Sequence, residues 1–272
     1  MEQSVEPLLQ AVAEEHGLYL DTIGPRPARD GKRLVTWEND SGGKNNLDFV
    51  LERGGTPENF GEPVAFIESA WRRYTKHSVN KAGEITAALL PLLQRHSRSR
   101  PFLGAVVSGV WTEGGIGHMV GQGVRVLHIP REVIVDCFAR FGIDADYDEH
   151  TTIDHLQMQV DAWDALSDSE RQSLSRSLMQ ESPDRYAIFR ETLDRHLRRR
   201  VSRVLILALH GEQAFFNTAA EAVQSLREYE NTTHEPMLLA RIEVQIYYTN
   251  EDRIEAQFSE PVEAIAWLES QA

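Results

Sequence analysis

The sequence predicts an α/β fold in which helices flank a mixed sheet, followed by a helical segment and a smaller α+β unit. Three observations predict it. In the first half, short apolar runs alternate with amphipathic helical stretches, the order expected where helices cover parallel strands. A hairpin signal near residue 40 adds antiparallel pairing and makes the sheet mixed. Near the end, the order strand, turn, strand, helix occurs twice in succession, a repeat of topology without close similarity of residues. The 272 residues suit one large domain or two small ones, and these patterns divide them into a core at 1–150, a helical connector at 151–200 and an α+β unit at 201–272.

The first helix is expected over residues 3–16, with Val5, Leu8, Leu9 and Val12 on one stripe and Gly17 as the break. Pro25, Pro27 and Gly31 then punctuate a loop. Residues 33–38 and 46–52 read as strands around the turn Asp40-Ser41-Gly42-Gly43. The turn at 54–57 leads to a short buried strand at 63–68, which ends in Glu68. A polar link over 71–78 precedes a helix at 79–94, where Ala82, Ile85, Leu89 and Leu92 recur at helical spacing and Ser78 stands as N-cap. Further on come a strand at 102–111, a glycine-rich turn or short helix at 114–123, a strand at 125–129, and a helix at 131–140 stopped by Gly142.

Residues 144–152 are acidic and aperiodic, and 153–179 return to helical spacing around Leu156, Val160, Trp163 and Leu166. Another helix is expected near 184–199. The repeat follows: strands at 201–209 and 213–217 around His210-Gly211-Glu212 with a helix at 219–229, then strands at 239–249 and 253–258 around Asn250-Glu251-Asp252 with a helix at 262–270.

Composition narrows the class. With 41% apolar and 26% charged residues, the chain is neither collagen-like, disordered nor disulfide-stapled. Its most apolar stretches, such as 204–209, fall far short of the roughly 20 residues a bilayer span needs, and no basic-plus-apolar leader opens it. The expectation is a cytoplasmic protein with no membrane partner. The single cysteine, Cys137, lies in an apolar helical pattern and reads as a core thiol.

A net charge of −14 argues against a polyanionic partner, but the distribution matters more than the sum. Residues 44–100 hold nine Lys and Arg against six Asp and Glu, so one segment is basic on an acidic background. That pattern lets one face meet a polyanion while the rest keeps the protein soluble.

The residues with chemical potential cluster in that segment. Asp48 lies in one expected strand and Glu68 ends the next. Neighbouring strands run about 5 Å apart, so two such carboxylates can share a divalent cation. A cation held there against a phosphodiester would activate water and stabilise the charge developing on phosphorus. Lys81 shares a helical face with Ile85 and Leu89 and so points toward the sheet. Lys76 in the preceding link could also reach the acids, Glu84 could add a carboxylate, and Glu14 and Glu15 are candidates for an outer shell. Arg72, Arg73, Lys76 and Lys81 form the patch expected to meet a polyanion.

The order helix, hairpin, strand ending in an acid, helix, strand resembles the core of the PD-(D/E)XK nuclease superfamily, the fold of most type II restriction endonucleases. The resemblance covers residues 1 to about 140. It implies a restriction-endonuclease-like sheet, Asp48 and Glu68 as ligands of Mg²⁺ or Mn²⁺, and hydrolysis of double-stranded DNA in restriction or antiviral defence. A homodimer or a partner defence subunit is the implied assembly. The stretch 124–151 is similar to parts of bacterial defence proteins of the same kind. One departure stands out: the lysine expected two positions after the acid is Ala70. In some members that lysine has moved to the following helix, which implies Lys81, with Lys76 as the other choice.

A plainer reading stays open beside this one. Asp48 and Glu68 would be strand acids paired with Arg72 or Arg73, and Lys81 with Glu84 a helix surface pair. A nuclease fold kept only for DNA binding or for assembly is the competing function, and Ala70 is the residue that speaks for it.

Other signals are weaker. Gly114-Gly115-Ile116-Gly117 lacks the strand–GxGxxG–helix context of a dinucleotide site. His150 with His155, and His77 with His96, do not form a zinc hydrolase motif. Ser108-Gly109 is not a nucleophile elbow. The basic run at 195–200 reads equally as a helix end complementing its dipole and as a phosphate contact.

Overall fold

A computed structural model describes residues 2–72, 78–148, 150–208, 213–231 and 241–271. The chain divides into two compact units, one from Met1–His96 and Pro101–Asp194, the other from Ser97–Arg100 and Arg195–Ala272.

The first unit begins with α1 (Glu2–His16), β1 (Leu18–Thr22), a 3-10 turn at Pro27–Arg29, β2 (Val35–Glu38), β3 (Lys44–Leu47), β4 (Phe49–Arg53) and β5 (Glu62–Arg72). It continues through α2 (Ser78–Arg95), β6 (Phe102–Gly109), α3 (Glu113–Gly121), β7 (Arg125–Pro130), α4 (Arg131–Ala139), α5 (Ile153–Ala165), α6 (Asp168–Glu181) and α7 (Pro183–Leu197). Five strands form a mixed sheet in the order β1-β4-β5-β6-β7, and β2 with β3 makes a separate hairpin. β1, β4 and β5 pair antiparallel. β5, β6 and β7 pair parallel. This is an α/β fold with a mixed five-stranded sheet flanked by helices.

Strand β6 is buried along its whole length, as a central strand covered on both faces must be. On one face, Ala82, Ile85, Leu89 and Leu92 of α2 pack with Val50, Phe66, Ala70, Leu103, Ala105 and Val107 of the sheet. Elsewhere, α1 packs on β1, and α4 on β6 and β7. Gly109 ends β6 with φ +87°, and a Cβ there would meet the Arg72 carbonyl oxygen at 2.1 Å. Only glycine lets the last residues of β5 and β6 approach so closely.

Several expected elements differ. β1 falls in what reads as a loop, because five residues directly after a helix carry no long pattern of their own. It is held by a buried charge cluster in which Arg26 bridges Asp21 and Glu52 at 2.8 and 2.6 Å, while Arg29 reaches Asp21 at 3.1 Å. The strand expected at 46–52 is two strands broken at Asp48, one in the hairpin and one in the main sheet. β5 runs on to Arg72, so Glu68 stands inside it and not at its end. The expected helix at 153–179 is two, because Ser167 and Glu170 form a capping box that starts α6. Helices α5 and α6, expected as part of a connector, belong to the first unit, which extends to Asp194. The glycine-rich stretch forms α3, and Cys137 is buried.

The second unit holds β8 (Val201–Ala208), β9 (Gln213–Phe216), α8 (Ala219–Asn231), β10 (Ile242–Tyr248), β11 (Arg253–Phe258) and α9 (Pro261–Glu269). Its sheet runs β11-β10-β8-β9, antiparallel throughout. Val204, Ile206, Val244 and Ile246 share a core with Val223, Leu226, Ile265 and Leu268 of the two helices. The turn at His210-Gly211-Glu212 lies outside the described residues. Part of the basic run serves this unit internally: Arg199 meets Asp252 at 3.1 Å and stacks over Tyr248, and His196 meets Asp252 at 3.3 Å. Among the described residues, no helix is long and apolar enough to cross a membrane.

Candidate active site

Side chains alternate along a strand, so Phe66, Glu68 and Ala70 share the face of β5 that α2 covers. Phe49 pairs with Ile67 and Val50 with Phe66, and one further step of that register sets Asp48 opposite Glu68. Here the strands part. Asp48 is the bend at which β3 gives way to β4, while β5 runs on beside β6, with Glu68 level with Ala105. The acids therefore stand at a fork in the sheet, where Glu68 no longer has β4 as a neighbour. Both are half-buried.

The two carboxyls hydrogen-bond to each other, and the Ser69 amide donates to Asp48 Oδ2 at 2.6 Å. Burial pushes Glu68 up to about 8, the negative charge of Asp48 adds to the rise, and Lys81 opposes it. Burial also raises Asp48, against the pull of the Ser69 amide. Glu68 is thus the protonated partner and donates to the Asp48 carboxylate, one proton being shared between two acids that cannot both ionise cheaply.

Lys81 sits in the first turn of α2, one residue before Ala82, which is buried in the core with Ile85 and Leu89. Its side chain is 32% exposed, its Nζ lies 2.9 Å from Glu84 Oε2, and its charge is felt by both Asp48 and Glu68. Glu84 is exposed and is lowered by its hydrogen bond to Lys81, with a smaller pull from Arg72. Arg72 ends β5 and is half-buried. Asp48, Glu68, Lys81 and Glu84 are therefore linked electrostatically. Arg73, Lys76 and His77 lie outside the described residues.

Glu14 and Glu15 do not join this group. Glu14 accepts from Gln10, Glu15 pairs with Arg190 at 2.8 Å, and both stand at the far end of α1. The acid of α1 that Asp48 senses is Glu2, about 18 Å away from them along the helix axis. Nothing in the helical stripe marks Glu2, because the stripe tells which face is buried and not which end meets the sheet. The other histidine signals resolve locally: His155 meets Asp144 at 3.0 Å, and His96 lies in a ring cluster with Trp37 and Phe66.

Among the described residues, no three His, Cys, Asp or Glu side chains gather as a metal-binding group. Two carboxylates suffice for one class of ion. Mg²⁺ keeps several waters and is commonly held by one or two carboxylates together with substrate phosphates. The donor chemistry of Asp48 and Glu68 fits that ion, and their competition for a single proton is the condition a dication would relieve.

No protein-family model matches the chain, and no curated protein does. A solved structure described as "Protein of Unknown Function AF1548" aligns with 71% of this chain and 99% of its own, at 13% identity and a TM-score of 0.32.

Proposed function

We propose that the first unit is a metal-dependent nuclease core similar to the PD-(D/E)XK superfamily, hydrolysing phosphodiester bonds of double-stranded DNA. The observation that carries this reading is the Asp48–Glu68 carboxyl pair at the sheet fork, with the Lys81 ammonium close enough to act on both. The sheet supports it too: antiparallel β1, β4 and β5 continue into parallel β6 and β7, with helices on the flanks. Asp48 and Glu68 would hold Mg²⁺ or Mn²⁺, which supplies Lewis-acid stabilisation of the phosphate and lowers the pKa of water. Ser69 fixes Asp48 through its amide, and Lys81, tethered by Glu84, offers positive charge to the oxygens of the phosphate as water adds and the ester bond breaks. Restriction or antiviral defence is the setting that the resemblance implies, with a homodimer or a partner subunit as the assembly.

Ala70 favours a second reading, a catalytically inactive subunit that binds DNA or assembles with a defence complex. It packs in the core beside α2, at the position where the superfamily carries its lysine. The experiment is cleavage of plasmid and linear duplex DNA in Mg²⁺ and in Mn²⁺ by the full chain and by Asp48→Ala and Glu68→Ala. The nuclease reading expects cutting by the wild type and at least a hundredfold loss in either variant. Normal cutting by either variant overturns the assignment of the acids, and DNA binding without cutting by the wild type selects the second reading.

A further inference from the structure

An open groove of about 810 Å³ adjoins the acid pair, lined among others by Ser69, Trp71, Phe138, Tyr147 and Trp163, with Glu2 and Asp144 as its charged groups. Two residues tie it to the site. Ser69 lines the groove while its amide holds Asp48, and Glu2 lines it while its charge is felt by Asp48. The groove therefore opens one residue along β5 from Glu68, about 3.3 Å of strand, on the opposite face of the sheet.

The lining argues for what it takes. Its walls are mostly apolar and aromatic, and its two charged groups are both acidic, so a phosphate is repelled and an uncharged planar group is admitted. One wall is already rigid: Phe138 and Trp163 stack at 6.0 Å with 19° between their planes, and Arg171 lies over Trp163. Trp71 differs from the other tryptophans. Trp37 pairs with Phe60 and Phe66, Trp111 donates to Ser108, and Trp267 donates to Arg98. Among the described residues, the Trp71 indole has neither a ring partner nor an acceptor for its N–H, and it lines the groove. The polar wall is rich in acceptors held in place: Asp144 is fixed by His155 at 3.0 Å and by the Asp146 amide at 2.8 Å. Such a wall suits the exocyclic amino group of a base.

We propose that this groove receives one unpaired nucleobase of the DNA, stacked on Trp71, with the backbone passing round the fork in the sheet to the phosphate held at Asp48 and Glu68. The proposal rests on the nuclease reading for its substrate, and it makes the preferred DNA one in which a base is already out of the stack or is easily extruded. Stacking on an aromatic side chain changes affinity by roughly 5- to 150-fold per base.

The test compares a fully paired duplex with the same duplex carrying a single bulged 2-aminopurine, bound by the full chain in Ca²⁺ and followed by anisotropy and by 2-aminopurine emission. The wild type is expected to prefer the bulged duplex at least fivefold and to change the emission of the bulged base. Trp71→Ala should bring the preference close to one, and Trp71→Phe should restore part of it. Equal affinity for the two duplexes, no binding of either, or a preference that survives Trp71→Ala overturns the proposal. Should Trp71→Ala not fold, the wild-type emission decides, because a bulged base whose emission stays unchanged is not stacked on an indole. A Trp71-dependent preference in a protein that never cuts in Mg²⁺ or Mn²⁺ leaves the base pocket standing without the nuclease. Cutting with no preference does the reverse.

Discussion

Replacing Glu68 by glutamine should stabilise the protein above pH 8 and change little below pH 5. Glutamine has the shape of the protonated acid and can donate the same hydrogen bond to Asp48, so the exchange removes only the option of ionising. In the fold, Glu68 is pushed up from 4.5 to about 8 by burial and by Asp48. Between those two values the folded chain holds a proton that the unfolded chain releases, so stability falls as pH rises. At about 1.4 kcal/mol per pH unit, the penalty is under ~1 kcal/mol at pH 5, ~3 kcal/mol at pH 7 and at most ~5 kcal/mol above pH 8. The quantity to measure is the difference in unfolding free energy between Glu68→Gln and the wild type, from urea titrations at half-unit steps between pH 4.5 and 9. Taking the difference cancels the titration of every group that does not interact with Glu68. A positive difference that grows by 2 kcal/mol or more from pH 5 to pH 8 fits the reasoning. Mg²⁺ should narrow the gap at pH 8 and not at pH 5, since it competes with the proton for the same oxygens. A variant less stable than the wild type at pH 8.5, or a difference independent of pH, would refute the claim that Glu68 is held protonated by its surroundings.

Two further outcomes are expected. Lys81→Ala should lower the rate of DNA cleavage by two orders of magnitude or more with little change in Mg²⁺ affinity, because an ammonium stabilises charge and does not ligate. Single-turnover rates across a Mg²⁺ titration separate the two, and a dead Lys76→Ala beside an active Lys81→Ala would move the role to residue 76. Glu52→Gln should destabilise the first unit by about 3–5 kcal/mol, since Arg26 would lose the bidentate contact made at 2.6 and 3.1 Å inside the protein. Urea unfolding checks it, and a loss below 1 kcal/mol would mean that the buried charges are solvated after all.

The residues that the sequence marked as acids of interest do meet, but for a reason only half legible there. Two carboxylates on adjacent strands can be read from alternation and turn signals. That β3 and β4 belong to different pairings, with Asp48 as the bend between them, cannot, because Asp48 is a single residue between the apolar Leu47 and Phe49 and no glycine or proline marks the break. Strand β1 was hidden by its brevity and by what stabilises it. Its partner for burial is a set of arginines from a loop, Arg26 and Arg29, and composition offers no reason to place arginine inside a protein. The extension of β5 through Trp71 and Arg72 was hidden likewise, since Trp71 leads straight into the charged run from Arg72 and yet both pair with β6, at Ser108 and Gly109. Element type was readable where burial follows a period, and element limits were lost where charge pairing or a glycine contact set them.

Lys81 was legible because it breaks a rule. A cation in the first turn of a helix faces the positive end of the dipole, which costs up to about 1 kcal/mol, and one beside Ala82, Ile85 and Leu89 also stands at the margin of an apolar face. Each misfit needs an anion nearby, and Glu84 at 2.9 Å answers only in part because it is itself exposed. The acids at the sheet fork supply the rest, since Lys81 draws both Asp48 and Glu68 toward ionisation against their burial. Ala70 bears on the same point from the other side. It shares the face of Glu68 and is buried against α2, so a lysine there would have to displace apolar neighbours or Ala82 itself. The positive charge therefore enters from the helix and not from the strand. The small side chains at 70 and 82 let α2 lie close enough for that charge to reach the pair.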